Sequence, residues 1–330
     1  MSTALTDRVE LEGEFERYRH ELTGYCYRML GSSHEAEDAV QETYIRAVRG
    51  LSGFERRAGP RTWLYRIAAN ICLDMLKGRN RRAMPMDLLP AASGRAELGA
   101  PLAGRVWIEP IADRLVMPDD GDPADLAEIR ESVRLAFIAV LQHLLPRQRA
   151  VLLLRDVIGL KAAEVATILN TSVPAVHSML RRARATLAAA DLDTNGSTQP
   201  NSEQRNLLVR YIDAFEHFDV DALVALVHDD VTLSMPPHPL WLRGRDDFGR
   251  WLRNTSGHCR HMRLVAISVN GSPSAAVYQP VREGEPPAPF AVHVLEVSGD
   301  RIAAVHAFLD PRLFPALRLP QLPAQVTDRS

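Results

Sequence analysis

The pattern of hydrophobic and polar positions divides the chain into helical segments, a sheet-forming segment and two interruptions. Residues 11–30 and 36–50 carry apolar side chains every three or four positions, which predicts two amphipathic helices. Ser32, followed three positions later by Glu35, predicts a capping box at the start of the second helix. A third helix is predicted over residues 62–82, with an apolar set wide enough to pack on two sides.

A second helical pattern, over residues 145–187, predicts a helix-turn-helix. Its apolar stripe is interrupted at residues 170–172 and then resumes at helical spacing. Asn170 is expected to take the left-handed conformation that the turn requires. Ser172 is expected to cap the second helix, and Pro174 fits the first turn, where a missing N–H costs nothing.

The start of that second helix carries the side chains that would enter a major groove, and arginines follow them. The groove candidates are Ser172, Val173, Pro174, Ala175, His177 and Ser178, and the phosphate candidates are Arg181, Arg182 and Arg184. Residues 145–187 hold seven Lys/Arg against two Asp/Glu. A plain helical hairpin with a solvated basic face is the alternative interpretation, because basic residues are common near helix C-termini.

Residues 83–125 are rich in Pro, Ala, Gly and Asp, which predicts a linker. The linker contains one patterned island, in which Trp107 and Ile108 lie beside Pro110. Residues of this apolar character are expected to dock on a surface. A second, polar linker is predicted over residues 191–202.

Residues 203–318 have a different character, with helical patterns followed by alternating runs rich in Val and Ile. Asn270-Gly271, between two of these runs, is a hairpin signal. Helices followed by a meandering antiparallel sheet predict an α+β domain in which the sheet curls over the helices. The result would be a small cone with an apolar mouth, followed by a tail over residues 319–330.

The composition bounds the class of protein. A length of 330 residues suggests two or three domains. No segment approaches the roughly 20 apolar residues of a membrane span, and the acidic N-terminus lacks the apolar run of a secretory signal. Cys26, Cys72 and Cys259 are too far apart for a disulfide framework or a zinc spacing. We therefore expect a reduced, cytoplasmic protein without a membrane segment, metal or cofactor.

The net charge of -2 is unevenly distributed along the chain. Residues 55–82 hold eight Lys/Arg and two Asp/Glu, whereas residues 112–131 hold seven acidic and two basic residues. The electrostatic field near each segment is therefore a better guide to its binding partners than the net charge of the whole chain. Basic residues beside exposed aromatic rings in the third helix suit single-stranded DNA. Trp63 taken alone fits a core position equally well.

Three sequence blocks resemble the extracytoplasmic-function class of bacterial sigma-70 factors. The blocks are EDAVQETYIRA at residues 37–47, RTWLYRIAANICLDMLKGRNRR at residues 61–82, and LPRQRAVLLLRDVIGLKAAEVA through VHSMLRRARATL within residues 145–187. They follow the order of sigma region 2 and region 4. The C-terminal part, which contains RYIDAFEHFDVDALVALVHDDVTLSMPP and RIAAVHAFLDPRLFP, resembles the SnoaL-like fold that some sigma factors of this class carry.

The linker island shares part of a motif with those relatives. Their linker contains a Trp-x-x-Pro-Tyr-Pro-Asp element, which Trp107, Pro110 and Asp113 match. Ile111 and Ala112 depart from it.

The resemblance implies a multidomain fold and a function in transcription initiation. Two all-α domains are implied, a region 2 helical bundle over residues 8–82 and a region 4 helix-turn-helix over residues 126–190. An α+β SnoaL-like, NTF2-like cone over residues 203–318 would modulate their activity. The implied partners are core RNA polymerase, through its β′ clamp and β flap, and promoter DNA, with no catalytic residues.

The resemblance also assigns roles to individual residues. Asp38, Gln41 and Glu42 match the helix that grips the basic clamp coiled coil, although an acidic helix start also fits dipole capping. The segment that holds the opened minus-ten strand is matched by Phe54, Arg57, Arg61, Trp63, Arg66 and Asn70. The helix-turn-helix matches the minus-thirty-five reader, with Lys161 replacing a Ser or Thr cap. This replacement weakens the cap and adds a phosphate contact.

Two other function classes stay open. A ligand-responsive helix-turn-helix regulator would also use an effector domain, but it would not need residues 37–82. A SnoaL-like isomerase or hydrolase with a DNA-binding region would need a carboxylate or His at a tuned pKa. The pocket candidates are Tyr211, Trp241, Tyr278, His293 and His306, whose spacing forms no recognisable catalytic constellation. An apolar mouth with few polar groups favours a small-molecule ligand without turnover.

Overall fold

The computed structural model of the protein forms two compact units. It describes residues 2–51, 59–102, 107–118, 120–189, 202–255, 259, 261–282 and 285–322. Unit 1 comprises Met1–Arg82 and Asp113–Leu192, and unit 2 comprises Ala83–Ala112 and Asp193–Ser330. Within the described ranges, every helix is too short or too polar to cross a lipid bilayer.

The helices and strands follow one another in a simple order. The helices are α1 Ser2–Leu30, α2 Ser33–Gly50, α3 Pro60–Met75, α4 Pro85–Leu88, α5 Pro123–Val133, α6 Leu135–Gln142, α7 Pro146–Leu152, α8 Ala162–Ile168, α9 Val173–Ala188, α10 Ser202–Glu216, α11 Val220–Ala225, α12 Arg245–Asn254 and α13 Leu313–Ala316. The strands are β1 Val227–Ser234, β2 Trp241–Arg243, β3 Arg263–Val269, β4 Ser272–Pro280, β5 Pro287–Ser298 and β6 Arg301–Phe308.

Helices α1, α2 and α3 pack into a bundle through the apolar stripes that the sequence predicts. Gly31, at a φ of 68°, ends α1, and the Ser32 hydroxyl accepts a hydrogen bond from the Glu35 N–H at 3.2 Å. The rings of Tyr25 and Tyr65 meet edge to face with centroids 5.3 Å apart in the buried centre. The predicted all-α bundle is confirmed, and a side-chain cap fixes the start of α2.

Helices α8 and α9 form the predicted helix-turn-helix. Asn170 lies in the left-handed region at a φ of 46°, as the turn requires. The Ser172 hydroxyl accepts a hydrogen bond from the Ala175 N–H at 3.3 Å, and Pro174 lies in the first turn of α9. Ala166 and Val176 are both buried, as two helices crossing closely demand.

Two buried arginines join the first three helices to α5–α7 within unit 1. Arg149 donates to the carbonyl of Met29, to Gln142 Oε1 at 2.7 Å and to the carbonyl of Leu144 at 3.3 Å. Arg28 donates to the carbonyl and the hydroxyl of Ser132 at 3.1 and 2.6 Å. Burial disfavours the charged form and lowers the pKa of each guanidinium to about 10.

Unit 2 contains a six-stranded sheet in the order β2-β1-β6-β5-β4-β3. Helix α10 contributes Tyr211 and Phe215 to an apolar core that also contains Ala275 and Leu295 from the sheet. The hairpin predicted at Asn270 is confirmed, since it joins β3 to β4 with a φ of 52°.

The prediction of a purely antiparallel meander is wrong at one strand pair. β1 and β6 run parallel, with Ser234 opposite His306, and the other strand pairs of the sheet are antiparallel. The two strands are far apart in the sequence, so no tight turn fixes their relative direction. Alternation of apolar residues reports which side chains share a face and carries no information on strand direction.

Replacing Arg149 with Leu should destabilise unit 1 strongly. The substitution leaves buried carbonyl groups without a donor, which should lower the free energy of unfolding by about 2–4 kcal/mol. The measurement is urea unfolding of the full chain followed by far-UV circular dichroism. Lys77→Ala is the control, because its ion pair with Asp74 is exposed and should change stability by less than about 0.5 kcal/mol. Equal effects of the two substitutions would contradict the prediction.

Candidate nucleic-acid and polymerase interface

One face of α9 carries the residues predicted to contact a major groove. Val176, Leu180 and Ala183 are buried and hold the helix in place. The opposite side is open to solvent. Ser172, Val173, Pro174, His177, Arg181 and Arg182 are exposed, and Ala175 and Ser178 are half-buried. The fold therefore brings the predicted minus-thirty-five set together on one outer surface.

The three arginines of α9 differ in their surroundings. Arg181 and Arg182 have no ion-pair partner among the residues that the structure describes. Arg184 donates two hydrogen bonds to the Asp156 carboxylate, at 2.8 and 2.7 Å, and these bonds raise the pKa of Arg184. A phosphate contact from Arg184 therefore stays a prediction for a state in which this pair has opened.

Glu164 caps α8, which the sequence reasoning missed. The exposed Lys161 precedes the helix, and its backbone N–H donates to Glu164 Oε2 at 2.8 Å. The spacing of three residues is the capping-box signal that could have found it. The Lys161 side chain supplies no cap, as expected, but the Glu164 carboxylate caps the helix by accepting a hydrogen bond from the Lys161 backbone N–H. Glu164 also accepts a hydrogen bond from the Thr62 hydroxyl at 3.3 Å, which links α8 to α3.

The outer face of α3 groups part of the predicted minus-ten set. Trp63, Arg66 and Asn70 are spaced by three and then four residues, so they share one side of the helix. Arg66 and Asn70 are exposed, whereas Trp63 is half-buried. Phe54 and Arg57 lie outside the described residues.

Arg61 lies apart from that face, in a link between the two helical modules. Its guanidinium donates to Glu21 Oε1 at 3.0 Å and to the carbonyl of Ile158 at 3.1 Å, and it lies 5.8 Å from the centre of the Tyr65 ring. Burial opposes the charge, but the hydrogen bonds to Glu21 outweigh it and raise the pKa of Arg61. In this conformation the Arg61 guanidinium and the Thr62 hydroxyl are hydrogen-bonded to protein groups.

The polar face of α2 contains the predicted polymerase contacts. Asp38 and Gln41 are exposed, and Glu42 is half-exposed and pairs with Arg46 at 2.7 Å. Ile45, which sequence reasoning missed, is 41% exposed and follows Gln41 by one helical turn. The sequence could have identified Ile45, because it is an apolar residue that lies outside the apolar stripe of α2. Acidic groups around an exposed apolar side chain suit a basic protein partner.

In unit 2, two of the five pocket candidates meet. Tyr211 Oη lies 3.0 Å from His293 Nδ1, and the Phe215 ring lies 5.2 Å from the imidazole. Burial lowers the pKa of His293 to about 4 and raises the pKa of Tyr211. Burial also raises the pKa of the nearby Cys259 thiol. The imidazole is thus neutral at pH 7 and acts as a hydrogen-bonding group in an apolar core.

The other three candidates lie elsewhere, so the five do not form one pocket. Trp241 donates its indole N–H to the carbonyl of Leu89 at 2.7 Å. Tyr278 donates to the carbonyl of Pro320 at 3.0 Å, and His306 Nδ1 lies 2.8 Å from the Ser234 hydroxyl. Successive strand residues point to opposite faces, and His306 adjoins Ala307, the register partner of His293. His306 therefore faces away from His293.

The described residues include no group of three or more His, Cys, Asp or Glu side chains placed to hold a metal ion.

Lowering the pH from 7 to 5 should destabilise the protein through its buried histidines. The pKa of His293 lies below its usual value of 6.5, so between about pH 4 and 6.5 the unfolded chain binds the proton more readily. Stability therefore falls as the pH drops through this window, by up to about 3 kcal/mol for His293. The lowered pKa of His306 acts in the same direction.

Urea unfolding between pH 5 and 7.5 measures this dependence. His293→Gln should reduce the slope of stability against pH, whereas His217→Gln, at an exposed site directly after α10, should leave it unchanged. An unaltered slope in His293→Gln would show that another group is responsible.

Comparisons with known proteins cover nearly the whole chain. Residues 15–82 match the Sigma-70 region 2 family, residues 134–187 match Sigma-70, region 4, and residues 208–308 match the SnoaL-like domain. We therefore call α1–α3 the region 2 module and α5–α9 the region 4 module.

Curated relatives match this chain over most of its length. ECF RNA polymerase sigma factor SigG of Mycobacterium tuberculosis is 45% identical over 321 residues, which cover 95% of this chain and 85% of SigG. ECF RNA polymerase sigma factor SigJ of the same organism is 31% identical over 221 residues, covering 67% of this chain and 63% of SigJ. The SigJ crystal structure has the same fold, with a TM-score of 0.61, 24% identity, and coverage of 94% of this chain and 99% of SigJ. The chain therefore belongs to the extracytoplasmic-function sigma factors of RNA polymerase and carries a SnoaL-like domain at its C-terminal end.

Proposed function

We propose that this protein directs core RNA polymerase to promoters, reading the minus-thirty-five element with α9 and opening the minus-ten element with α3. The observation that carries the proposal is the solvent-exposed face of α9, with Arg181 and Arg182 available, in a chain that belongs to the sigma factors. Duplex binding by a helix-turn-helix needs a groove-facing helix start followed by phosphate contacts, and this face offers both.

Base selection falls to a few side chains of this face. Val173, Pro174 and Ala175 offer few hydrogen bonds to base edges, so His177, Ser178 and Arg181 are the candidates for direct readout. DNA shape would supply the remaining specificity. On α3, Trp63 offers a ring on which an extruded base can stack, and Arg66 and Asn70 lie on the same side to bind the strand.

Polymerase binding is assigned to the exposed face of α2. Asp38, Gln41 and Glu42 supply acidic and polar groups for the basic clamp surface, and Ile45, one helical turn after Gln41, adds an apolar contact beside them. The β flap would be the partner of the region 4 module. Since the protein acts together with RNA polymerase, we place it in the cytoplasm. We assign it no catalytic step.

Transcription in vitro with core polymerase tests this function directly. We expect the full chain, as the only initiation factor, to bind core polymerase and to yield specific transcripts and an open bubble on genomic DNA fragments. A helix-turn-helix repressor would bind duplex DNA without polymerase and yield no transcript. An enzyme would turn over a small molecule and yield no transcript either. Either of these results would refute the proposal.

Replacing Arg181 and Arg182 together with Ala should weaken promoter binding and flatten its salt dependence. Each phosphate contact that is lost removes about one released counterion from the slope of log K against log salt. Binding isotherms of the polymerase holoenzyme at several salt concentrations measure this slope. Arg205→Ala, at an exposed position of α10, is the control and should leave the slope as it is.

Glu21→Gln should strengthen binding to single-stranded minus-ten DNA. The substitution removes the carboxylate charge that pairs with the partly exposed Arg61, so the guanidinium becomes more available to the strand. Fluorescence anisotropy with a labelled oligonucleotide should report a gain of several-fold. Glu16→Gln, on the same helix but paired with Arg19, is the matched control.

A double-mutant cycle identifies the source of this gain. If Arg61 carries it, Glu21→Gln combined with Arg61→Ala should bind no more tightly than Arg61→Ala alone. A gain that persists without Arg61 would show that removal of a negative charge acts through the general field.

A further inference from the structure

The seven basic residues of residues 145–187 differ in what surrounds their charges. Arg149 is buried and donates to main-chain carbonyls, and the half-buried Arg155 also donates to one. Arg184 is paired with the Asp156 carboxylate. The others are exposed and have no acidic partner within the described part of the chain, namely Arg147, Lys161, Arg181 and Arg182. The resemblance to sigma factors assigns a phosphate contact to the last three, and Arg147 has no assigned role.

Arg147, on α7, is fixed beside the turn of the helix-turn-helix. Its Nη2 donates to the carbonyl of Leu169 at 2.6 Å, and Leu169 directly follows the last residue of α8. This bond uses one of the five N–H donors of a guanidinium, and the group forms no other hydrogen bond to the described residues. The remaining donors lie in a rigid fork that matches the oxygens of a phosphate.

The bond to Leu169 prepares Arg147 for an anionic ligand. A long side chain loses conformational entropy when a ligand immobilises it. Arg147 has already lost part of that freedom in the unbound protein, because its guanidinium is attached to the backbone of the turn. An anion that binds the remaining donors therefore costs less entropy than one that must order a mobile arginine.

The guanidinium of Arg147 lies close to the end of α9 that would enter the major groove. Ser172, which caps α9, follows Leu169 by three residues, so their Cα atoms are at most about 11 Å apart. The turn is folded back on α8, since the Thr171 N–H donates to the carbonyl of Ala166 at 2.9 Å. The major groove is about 12 Å wide and is bordered by the two phosphate backbones. A cation held here is within reach of a phosphate at the edge of the groove.

Arg147 and the arginines of α9 lie at opposite ends of the groove-facing residues 172–178. Arg181 follows Ser172 by nine residues, which corresponds to a rise of about 14 Å along the helix. Arg182 lies one residue further. The two ends would therefore contact different phosphates, and the start of α9 would have a cation of its own.

We propose that Arg147 binds a backbone phosphate at the edge of the minus-thirty-five major groove and thereby fixes the start of α9 in that groove. The ligand is the phosphodiester anion of duplex DNA, and the contact does not depend on base identity. This inference rests on the proposed function of the chain as an initiation factor. The competing role for Arg147 is support of the turn alone, through Leu169.

Arg147→Met tests the contact, because it removes the charge and keeps an apolar stem. We expect promoter binding by the polymerase holoenzyme to weaken several-fold and the slope of log K against log salt to fall by about one unit. Arg147→Lys keeps the charge and should retain the wild-type slope. Arg205→Met, at an exposed position of α10, is the matched control and should change neither quantity. Weaker binding with an unchanged slope in Arg147→Met would show support of the turn alone and would overturn the proposal.

Uncharged methylphosphonate linkages, placed one at a time in the minus-thirty-five duplex, locate the phosphate. The promoter is one identified by the transcription assay. Wild-type holoenzyme should lose affinity several-fold at the contacted linkage, and Arg147→Met should be insensitive to replacement of that linkage. Arg181→Met should stay sensitive there and lose sensitivity at a different linkage. If Arg147→Met remains as sensitive as wild type at every linkage, the proposal is wrong.

The wild-type chain separates this failure from failure of the proposed function. If wild type initiates with core polymerase and no linkage depends on Arg147, only the role of Arg147 is wrong. If wild type itself binds no promoter with core polymerase, the proposed function is wrong and the inference about Arg147 falls with it.

Discussion

Two charged side chains held away from water join the region 2 module to the region 4 module. A buried guanidinium costs free energy unless protein dipoles replace its hydration. For Arg149 the replacement comes from the carbonyls of Met29 and Leu144, at the C-terminal ends of two helices, where the helix dipole places negative potential. For Arg28 it comes from Ser132. Hydrogen bonds are directional, whereas apolar contacts are not. The bonds of Arg149 and Arg28 therefore restrict the relative position of the helices of unit 1 more than apolar contacts would.

The same unit balances several basic groups internally. Arg61 binds Glu21, and Arg184 binds Asp156, so two of the side chains assigned to nucleic acid are neutralised within the fold. Nucleic acid must compete with these carboxylates for the guanidinium groups. These internal ion pairs lower the positive charge that the unbound protein presents, and they therefore reduce nonspecific binding to polyanions.

Much of the fold could be predicted from local signals in the sequence. The turn at Asn170 and the cap at Ser172 follow from neighbouring residues, so both could be predicted. The ion pair between Glu21 and Arg61 joins residues that are 40 positions apart, and sequence spacing contains no information on such a contact. The same holds for the parallel pairing of β1 with β6. Strand alternation could have separated His306 from the other pocket candidates only if the register of the strands had been known.

The hairpin residue Asn270 performs two tasks at once. Its left-handed backbone turns the chain between β3 and β4. Its side-chain oxygen accepts a hydrogen bond from the N–H of residue 111, and its own N–H donates to the carbonyl of residue 111. Both hydrogen bonds use backbone atoms of residue 111, and neither involves its side chain. Other residues with a main-chain N–H could therefore form the same pair of hydrogen bonds at position 111, so the backbone, and not the identity of the side chain, fixes this end of segment 83–112 to the β3–β4 hairpin.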